Sequence, residues 1–294
     1  MKNNHKHYSA YKIITTIILI LVALMFLFPL YWIITGAFKP ARDIFATKPV
    51  LFPTSFTMDN FNRLLSSRTS PLFDIFGIEG PMVPSAYRWL LNTVAMSVGA
   101  MILTCITAAM AGFALAKKRF RGRAIIFGLI VCAMALPKQV ILIPLLKEMA
   151  GLDLYNTLWA VIFPTVGWPF GVFLMKQFSE SIPGEMLEAA RIDGASELRT
   201  FCTVVIPLVK PGIGALAIFT FINAWNDYFM QLVMLTDNDI NTISLGISTL
   251  MGESSVDMGM LMAGSALAAA PIIIVFLIFQ KYFTQGITMG AVKG

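Results

Sequence analysis

Apolar residues run on in this chain for distances that no soluble core requires. Six stretches, roughly 13–36, 90–116, 124–147, 157–176, 206–235 and 262–284, are each long enough to cross a bilayer as a helix. Crossing takes about 20 residues at a rise of 1.5 Å each. None of the six alternates with the two-residue period of an outer-membrane strand. The pattern therefore predicts an all-α, polytopic membrane protein with six transmembrane helices. It forms one transmembrane domain over 1–294, with a first span at 13–36 and core spans between about 90 and 284.

Composition agrees. Of the 294 residues, 57% are hydrophobic and 13% charged, with a mean hydropathy of +0.76; a soluble domain carries about 25% charged residues. The first run follows a short basic start but is longer than the ~7–15 residues of a signal peptide's apolar region. It passes through Phe28, Pro29, Leu30, Tyr31 and Trp32 without a small-residue cleavage site. It reads as a retained span with Tyr31 and Trp32 as interfacial anchors.

The net charge of +6 and pI near 9.3 report topology. With both termini cytoplasmic, the inner segments hold Lys117, Lys118, Arg119, Arg121, Arg123, Lys176, Arg191, Arg199, Lys210 and the basic ends, as the excess of Lys and Arg on that side requires. The exception is the outer loop 38–88, with Lys39, Arg42, Lys48, Arg63, Arg68 and Arg88. This loop is expected to hold short helices at the membrane surface. The outer loop 236–261 is acidic, with Asp237, Asp239, Glu253 and Asp257. Cys105, Cys132 and Cys202 are too few for a disulfide framework and read as small apolar side chains. His5 and His7 stand in a polar tail without further ligands, so no metal site is expected. No catalytic constellation, no Gly-x4-Gly-Lys-Ser/Thr phosphate loop and no internal repeat is present. No nucleic-acid partner is implied.

The longest cytoplasmic interruption, 179–205, carries the most information. Pro183 can open a short helix with Glu185 in its first turn. Gly194 can take the positive φ that ends it, and Ser196 is an N-cap for a second short helix. Leu198, Phe201, Cys202 and Val205 recur at helical spacing and are expected to pack back on the bundle. An exposed helix bearing Ala189 and Ala190, flanked by Glu188 and Asp193, suits docking into a partner's groove. An amphipathic helix resting on the membrane satisfies the same composition.

This loop resembles the coupling loop of permeases in binding-protein-dependent ATP-driven importers. That pattern is Glu-Ala-Ala, three residues, Gly, nine residues, then Ile-x-Leu-Pro. Here it reads Glu188-Ala189-Ala190, then Gly194, then Val204-Val205-Ile206-Pro207, with conservative departures at Val204 and Ile206. The stretch Phe221–Phe229 and the ending Gln280–Gly294 are similar to the carbohydrate branch, in particular the maltose-type second permease. The resemblance implies a sugar importer in a bacterial inner (plasma) membrane. Its partners would be a second permease subunit, two ATPase subunits that bind ATP and Mg, and an extracytoplasmic substrate-binding protein. The chain itself would be neither an enzyme nor a cofactor binder. Glu188, Ala189, Ala190, Asp193 and Gly194 would form the ATPase contact, and the tail after Phe283 would also reach the ATPases. Loop 236–261 would face the binding protein.

Two groups of polar residues lie inside spans, where they are costly unless they face protein or water. Asn223, Asn226 and Asp227 stand at i, i+3 and i+4, on one predicted face of the fifth span, beside Trp225 and Tyr228. Amides bond hydroxyls and aromatic rings stack on sugars, so this is a candidate substrate path; helix-to-helix hydrogen bonding uses the same residues equally well. Pro137, Lys138 and Gln139 interrupt the third span and predict a kinked, gating-capable helix. With Lys138 and Lys147 as the only candidate buried cations, an uncharged sugar suits the chain better than a glycerol-phosphate, polyamine or peptide. An ion-coupled secondary transporter is opposed by the docking motif and by the lack of a repeat.

Overall fold

The computed structural model describes residues 10–75, 78–251 and 256–291. It is mostly helical, and its contacts divide into two units: residues 1–68 with 249–267, and 69–248 with 268–294.

The smaller unit opens with α1 (Ala10–Ala37), whose most apolar stretch buries none of its residues against the rest of the chain, as a lipid- or partner-facing helix should. Two short helices follow, α2 (Ala41–Ile44) and α3 (Asp59–Ser67). Asn60 ties α3 down by donating its amide to the carbonyls of Ala37 and Lys39, at 2.9 and 2.8 Å. Arg63 of α3 pairs with Asp257.

The larger unit begins with two small antiparallel pairs that the sequence pattern does not announce. β1 (Thr69–Pro71) pairs with β4 (Met82–Pro84), and β2 (Asp74–Ile75) with β3 (Ile78–Glu79). The outer loop is thus part helical, as expected, and part hairpin. Then comes α4 (Ser85–Lys117), the central helix, packed most extensively on α8 (Phe170–Glu180) and α12 (Lys210–Asn226). Small residues permit this: a Cβ on Gly112 would lie 2.6 Å from the backbone of Met175 and Lys176. In a bilayer, packing of this closeness takes the place of the hydrophobic effect between helices.

The remaining spans are broken: the interruption expected at Pro137 is present, and the stretches 157–176 and 206–235, read as single runs, are broken as well. Helices α5 (Arg123–Ala133) and α6 (Lys138–Gly151) meet at 107°. Pro137 brings no N–H, and it forces the residue before it out of helical geometry. Helix α7 (Trp159–Val166) meets α8 at 41°, across Gly167, Trp168 and Pro169. On the cytoplasmic side α9 (Gly184–Ile192) leads to α10 (Glu197–Thr200), a π turn, and α11 (Ile206–Leu208); this segment joins α12 at 78°. Beyond α12, residue Asp227 is non-helical and α13 (Tyr228–Met234) starts anew. Helices α14 (Ile243–Met251) and α15 (Met258–Ala291) complete the chain. Among the described residues, three helices are long and apolar enough to span a bilayer, or up to six if each bent pair counts as one span.

Candidate functional site

The cytoplasmic loop is built by local backbone rules. Pro183 stands one position earlier than predicted, at the N-cap of α9, so that Gly184 is the first helical residue. At the other end Gly194 adopts φ +74°, with its N–H on the Arg191 carbonyl and the Ala195 N–H on the Ala190 carbonyl. This pair of bonds is the Schellman arrangement, which closes the helix and turns the chain sharply. Ser196 then caps α10, its Oγ accepting from the Arg199 N–H at 3.3 Å. Glu188, Ala189, Asp193 and Gly194 are all exposed and Ala190 is half-buried, so the five candidate contact residues share one accessible turn-and-helix surface.

Two expectations for this loop fail. Leu198 is 68% exposed and Cys202 is also exposed; Phe201 against Phe113 and the fully buried Val205 alone pack back. The π turn over 201–205 shifts the register, so four residues that share a face in an α-helix part company. Ile192, 86% exposed, stands at the tip beside them.

The loop is also moored. Lys117 donates its ammonium to the carbonyls of Glu180 and Ile182, and Glu197 pairs with both Lys118 and Arg191. The hydrogen bond from Lys118 holds the Glu197 carboxyl below the usual carboxylate range.

The candidates within the spans are rearranged. Asp227 lies outside α12, so it does not share a helical face with Asn223 and Asn226. Its carboxylate instead caps α13, accepting from the Met230 N–H at 3.4 Å. Asn223 and Asn226 return their amides to the Phe219 and Ile222 carbonyls of their own helix. Trp225 is buried against Phe221 in the core, where it cannot stack on a passing sugar, and Tyr228 packs at the edge of a second apolar cluster. Gln139 is exposed on the first turn of α6.

Two candidates assigned to separate groups in fact meet. Lys138 Nζ lies 3.1 Å from Asp227 Oδ2 and 4.9 Å from the centre of the Trp168 ring. These residues come from three helix breaks, α5/α6, α12/α13 and α7/α8. A cavity of about 160 Å3 lies on one side of this junction, lined by Thr104, Thr165, Phe219, Thr220 and Asn223 together with Lys138 and Trp168. A second, of about 460 Å3, has Asp227, Glu148 and Met230 in its wall and shares Lys138, Thr165 and Trp168 with the first.

The sequence reading passed over Trp168, although Gly167-Trp168-Pro169 within an apolar run is a readable break. It also passed over the outer clamp. Arg88, Trp89 and Asn92 donate to the carbonyls of Asn238, Asp239 and Asn241, and Asn156 holds Thr236 and Asp237. The fully buried Gln231 bridges the Ala224 and Trp225 carbonyls to Thr242. The outer loop is therefore held against the helices over 236–242. Residues 252–255, with Glu253, and the side chains of the tail beyond Gln280 lie outside the described residues.

Apolar helices, three of them broken pairs, with two cavities beside the breaks and an exposed, moored turn between α9 and α10, are the architecture of a membrane transport component. The chain belongs to the family of binding-protein-dependent transport system inner membrane components, whose profile matches residues 106–289. This is a permease family, a transport component and not an enzyme. The chain is 32% identical over 296 residues, and 100% of both chains, to the arabinooligosaccharides transport system permease protein AraQ of Bacillus subtilis. It is 30% identical to the sn-glycerol-3-phosphate transport system permease protein UgpE of Escherichia coli, covering 92% of this chain and 93% of that one. Its fold matches a chain of a bacterial ABC transporter that imports the acidic polysaccharide alginate, with a TM-score of 0.76, 24% identity, and coverage of 93% and 96%.

Proposed function

We propose that this chain is one of two permease subunits of an importer in a bacterial inner (plasma) membrane, and that its cargo is an uncharged sugar or oligosaccharide. Two ATPase subunits, which bind ATP and Mg, dock on Glu188, Ala189, Ala190, Asp193 and Gly194. An extracytoplasmic binding protein delivers the cargo. The observation that carries the cargo class is the neutralised cation: Lys138, the charged group that both cavities share, is already paired with Asp227. Beside it the smaller cavity carries the hydroxyls of Thr104, Thr165 and Thr220, the Asn223 amide and aromatic rings among apolar Met134 and Leu216, the mostly apolar lining with a few polar groups that a neutral ring requires. An anionic cargo would need unpaired cations there, since a charge in this setting is stable only with a partner. The arabinooligosaccharide relative supports the reading. The glycerol-phosphate relative and the alginate importer mark the alternatives.

The test is uptake in a deletion strain. Cells are offered labelled neutral di- to pentasaccharides, an alginate trisaccharide and sn-glycerol 3-phosphate. Loss of uptake of a neutral saccharide, restored by the chain but not by its Gly194→Trp variant, is expected. Loss confined to the two anionic probes would overturn the cargo class. Mass spectrometry of what co-purifies with the tagged chain tests the partners: a second permease and an ATPase in near-equal amounts are expected.

A further inference from the structure

The convergence of three helix breaks on one ion pair goes beyond the cargo reading, although the ligand named here rests on it. A break within a membrane helix gives up helical hydrogen bonds whose groups must be satisfied otherwise, so its position needs a reason. Lys138 is the first residue of α6, Asp227 the residue between α12 and α13, and Trp168 the residue between α7 and α8. Far apart in sequence, they meet through one charge-assisted contact of 3.1 Å and one cation–π contact of 4.9 Å. Both cavities are walled by this junction. The smaller is walled by α12 from Leu216 to Asn223 and by Thr104 and Phe170; the larger lies toward the far end of α6 and α13, where Leu152 and Met230 line it. With the termini inside, these are the inner and outer sides.

We propose that the Lys138–Asp227 pair, roofed by Trp168, is a latch that holds the three breaks together and divides the path on this subunit into inner and outer cavities. A saccharide releases it. Its hydroxyls donate to Asp227 and accept from Lys138, replacing the ion pair without leaving either charge bare, while a sugar ring lies against Trp168. A second observation points to a ligand on the inner side. Thr104 is 3% exposed, lines the smaller cavity, and its hydroxyl has no hydrogen-bond partner among the described residues. Buried hydroxyls are seldom left unpaired. A cavity of about 160 Å3, about five waters' worth, suits one sugar ring beside it.

The test uses the whole complex, purified through a tag on this chain and placed in nanodiscs, with ATP as the probe and no sugar or binding protein added. Asp227→Asn keeps an acceptor for the α13 cap but breaks the ion pair; Lys138→Met breaks it from the other side; Lys138→Arg restores it. Opening the latch should raise basal ATP hydrolysis about fivefold or more in the first two variants, the scale of an ordinary coupling energy. Lys138→Arg, which keeps the charge, should raise the rate less than Lys138→Met does, and uptake of the neutral saccharides should fall in the first two variants. A merely structural pair would lower the yield of complex and leave its rate per molecule unchanged. Wild-type ATP hydrolysis in assembled Asp227→Asn and Lys138→Met complexes overturns the latch. If neither assembles, Trp168→Leu carries the test, because it removes the roof and leaves the charges paired; an unchanged rate there overturns it as well. A rise in ATP hydrolysis in a protein whose wild type imports no neutral saccharide would keep the latch and remove the saccharide.

Discussion

The cytoplasmic loop and the mid-span junction answer to different physics. In the loop, twenty consecutive residues set their own geometry. Gly194 ends a helix because its φ of +74° is free of a Cβ penalty, and Ser196 starts the next because its hydroxyl reaches Arg199. The junction is made of residues 30 to 89 positions apart; local rules set each helix break, but nothing local brings the three together. Local rules build a surface to be offered outward. Long-range pairs build a contact that can open.

The sharpest way to break this comparison is at Gly194. A Cβ there would meet nothing within 4 Å, so the penalty within the chain is conformational alone, about 1–2 kcal/mol for an L-residue in the left-handed region. Gly194→Ala should therefore fold and keep part of its ATPase. Gly194→Trp adds bulk on the proposed docking face and should lose nearly all co-purifying ATPase. Equal amounts of ATPase with both variants would show that the loop's geometry is not read by a partner.

Next in size is Gly112, where long-range packing admits no adjustment. A Leu there would drive its side chain into the backbone of Met175 and Lys176. Overpacking of this kind costs about 1–3 kcal/mol and often more against backbone. Gly112→Leu should lower the thermal midpoint of the detergent-solubilised protein markedly, or prevent its accumulation, with the cytoplasmic loop untouched. A wild-type midpoint would mean that α4 and α8 do not carry the fold.

Gln231 sharpens the contrast from the outer side. It is fully buried and joins the end of α12 to Thr242. Gln231→Leu would strand the Thr242 hydroxyl and leave two carbonyls short of a donor, at about 1–3 kcal/mol. The midpoint should fall, and hydrogen exchange should rise over 236–243 while staying unchanged over 184–200. Exchange rising equally in both segments would deny that the two regions are separate.

What the sequence made legible follows the same division. Hydropathy placed the apolar runs, because apolar length is a property of consecutive residues; Gly194 and Ser196 were legible for the same reason. The breaks were only half legible. Pro137 announced one, and Trp168 between Gly167 and Pro169 announced another that went unread. Asp227 was misplaced because helical spacing assigned it to the face of Asn223, when as a short carboxylate it caps the following helix instead. Trp225 was misjudged because an aromatic beside amides looks like a sugar platform from composition, whereas burial puts it in the core. The Lys138–Asp227 pairing could not be read from one sequence, since nothing along the chain links positions 138 and 227.

The smallest expected effect belongs to Glu197, and it probes whether the loop needs its moorings at all. Its carboxylate takes Lys118 and Arg191 but is 63% exposed, as is Arg191 at 62%. Exposed pairs of this kind contribute little, because water screens them and long side chains must be held in place. The Lys118 hydrogen bond lowers the Glu197 pKa from its usual 4.5. A carboxylate depressed in the folded state stabilises above its unfolded pKa and loses that contribution as pH falls through the folded value. Glu197→Gln should therefore barely change the thermal midpoint at pH 7. The wild-type advantage, already small, should shrink further below about pH 4.5. A large loss at neutral pH would mean that the moorings, and not the backbone turn at Gly194, set the loop, and the two regions would then be held by the same kind of long-range contact.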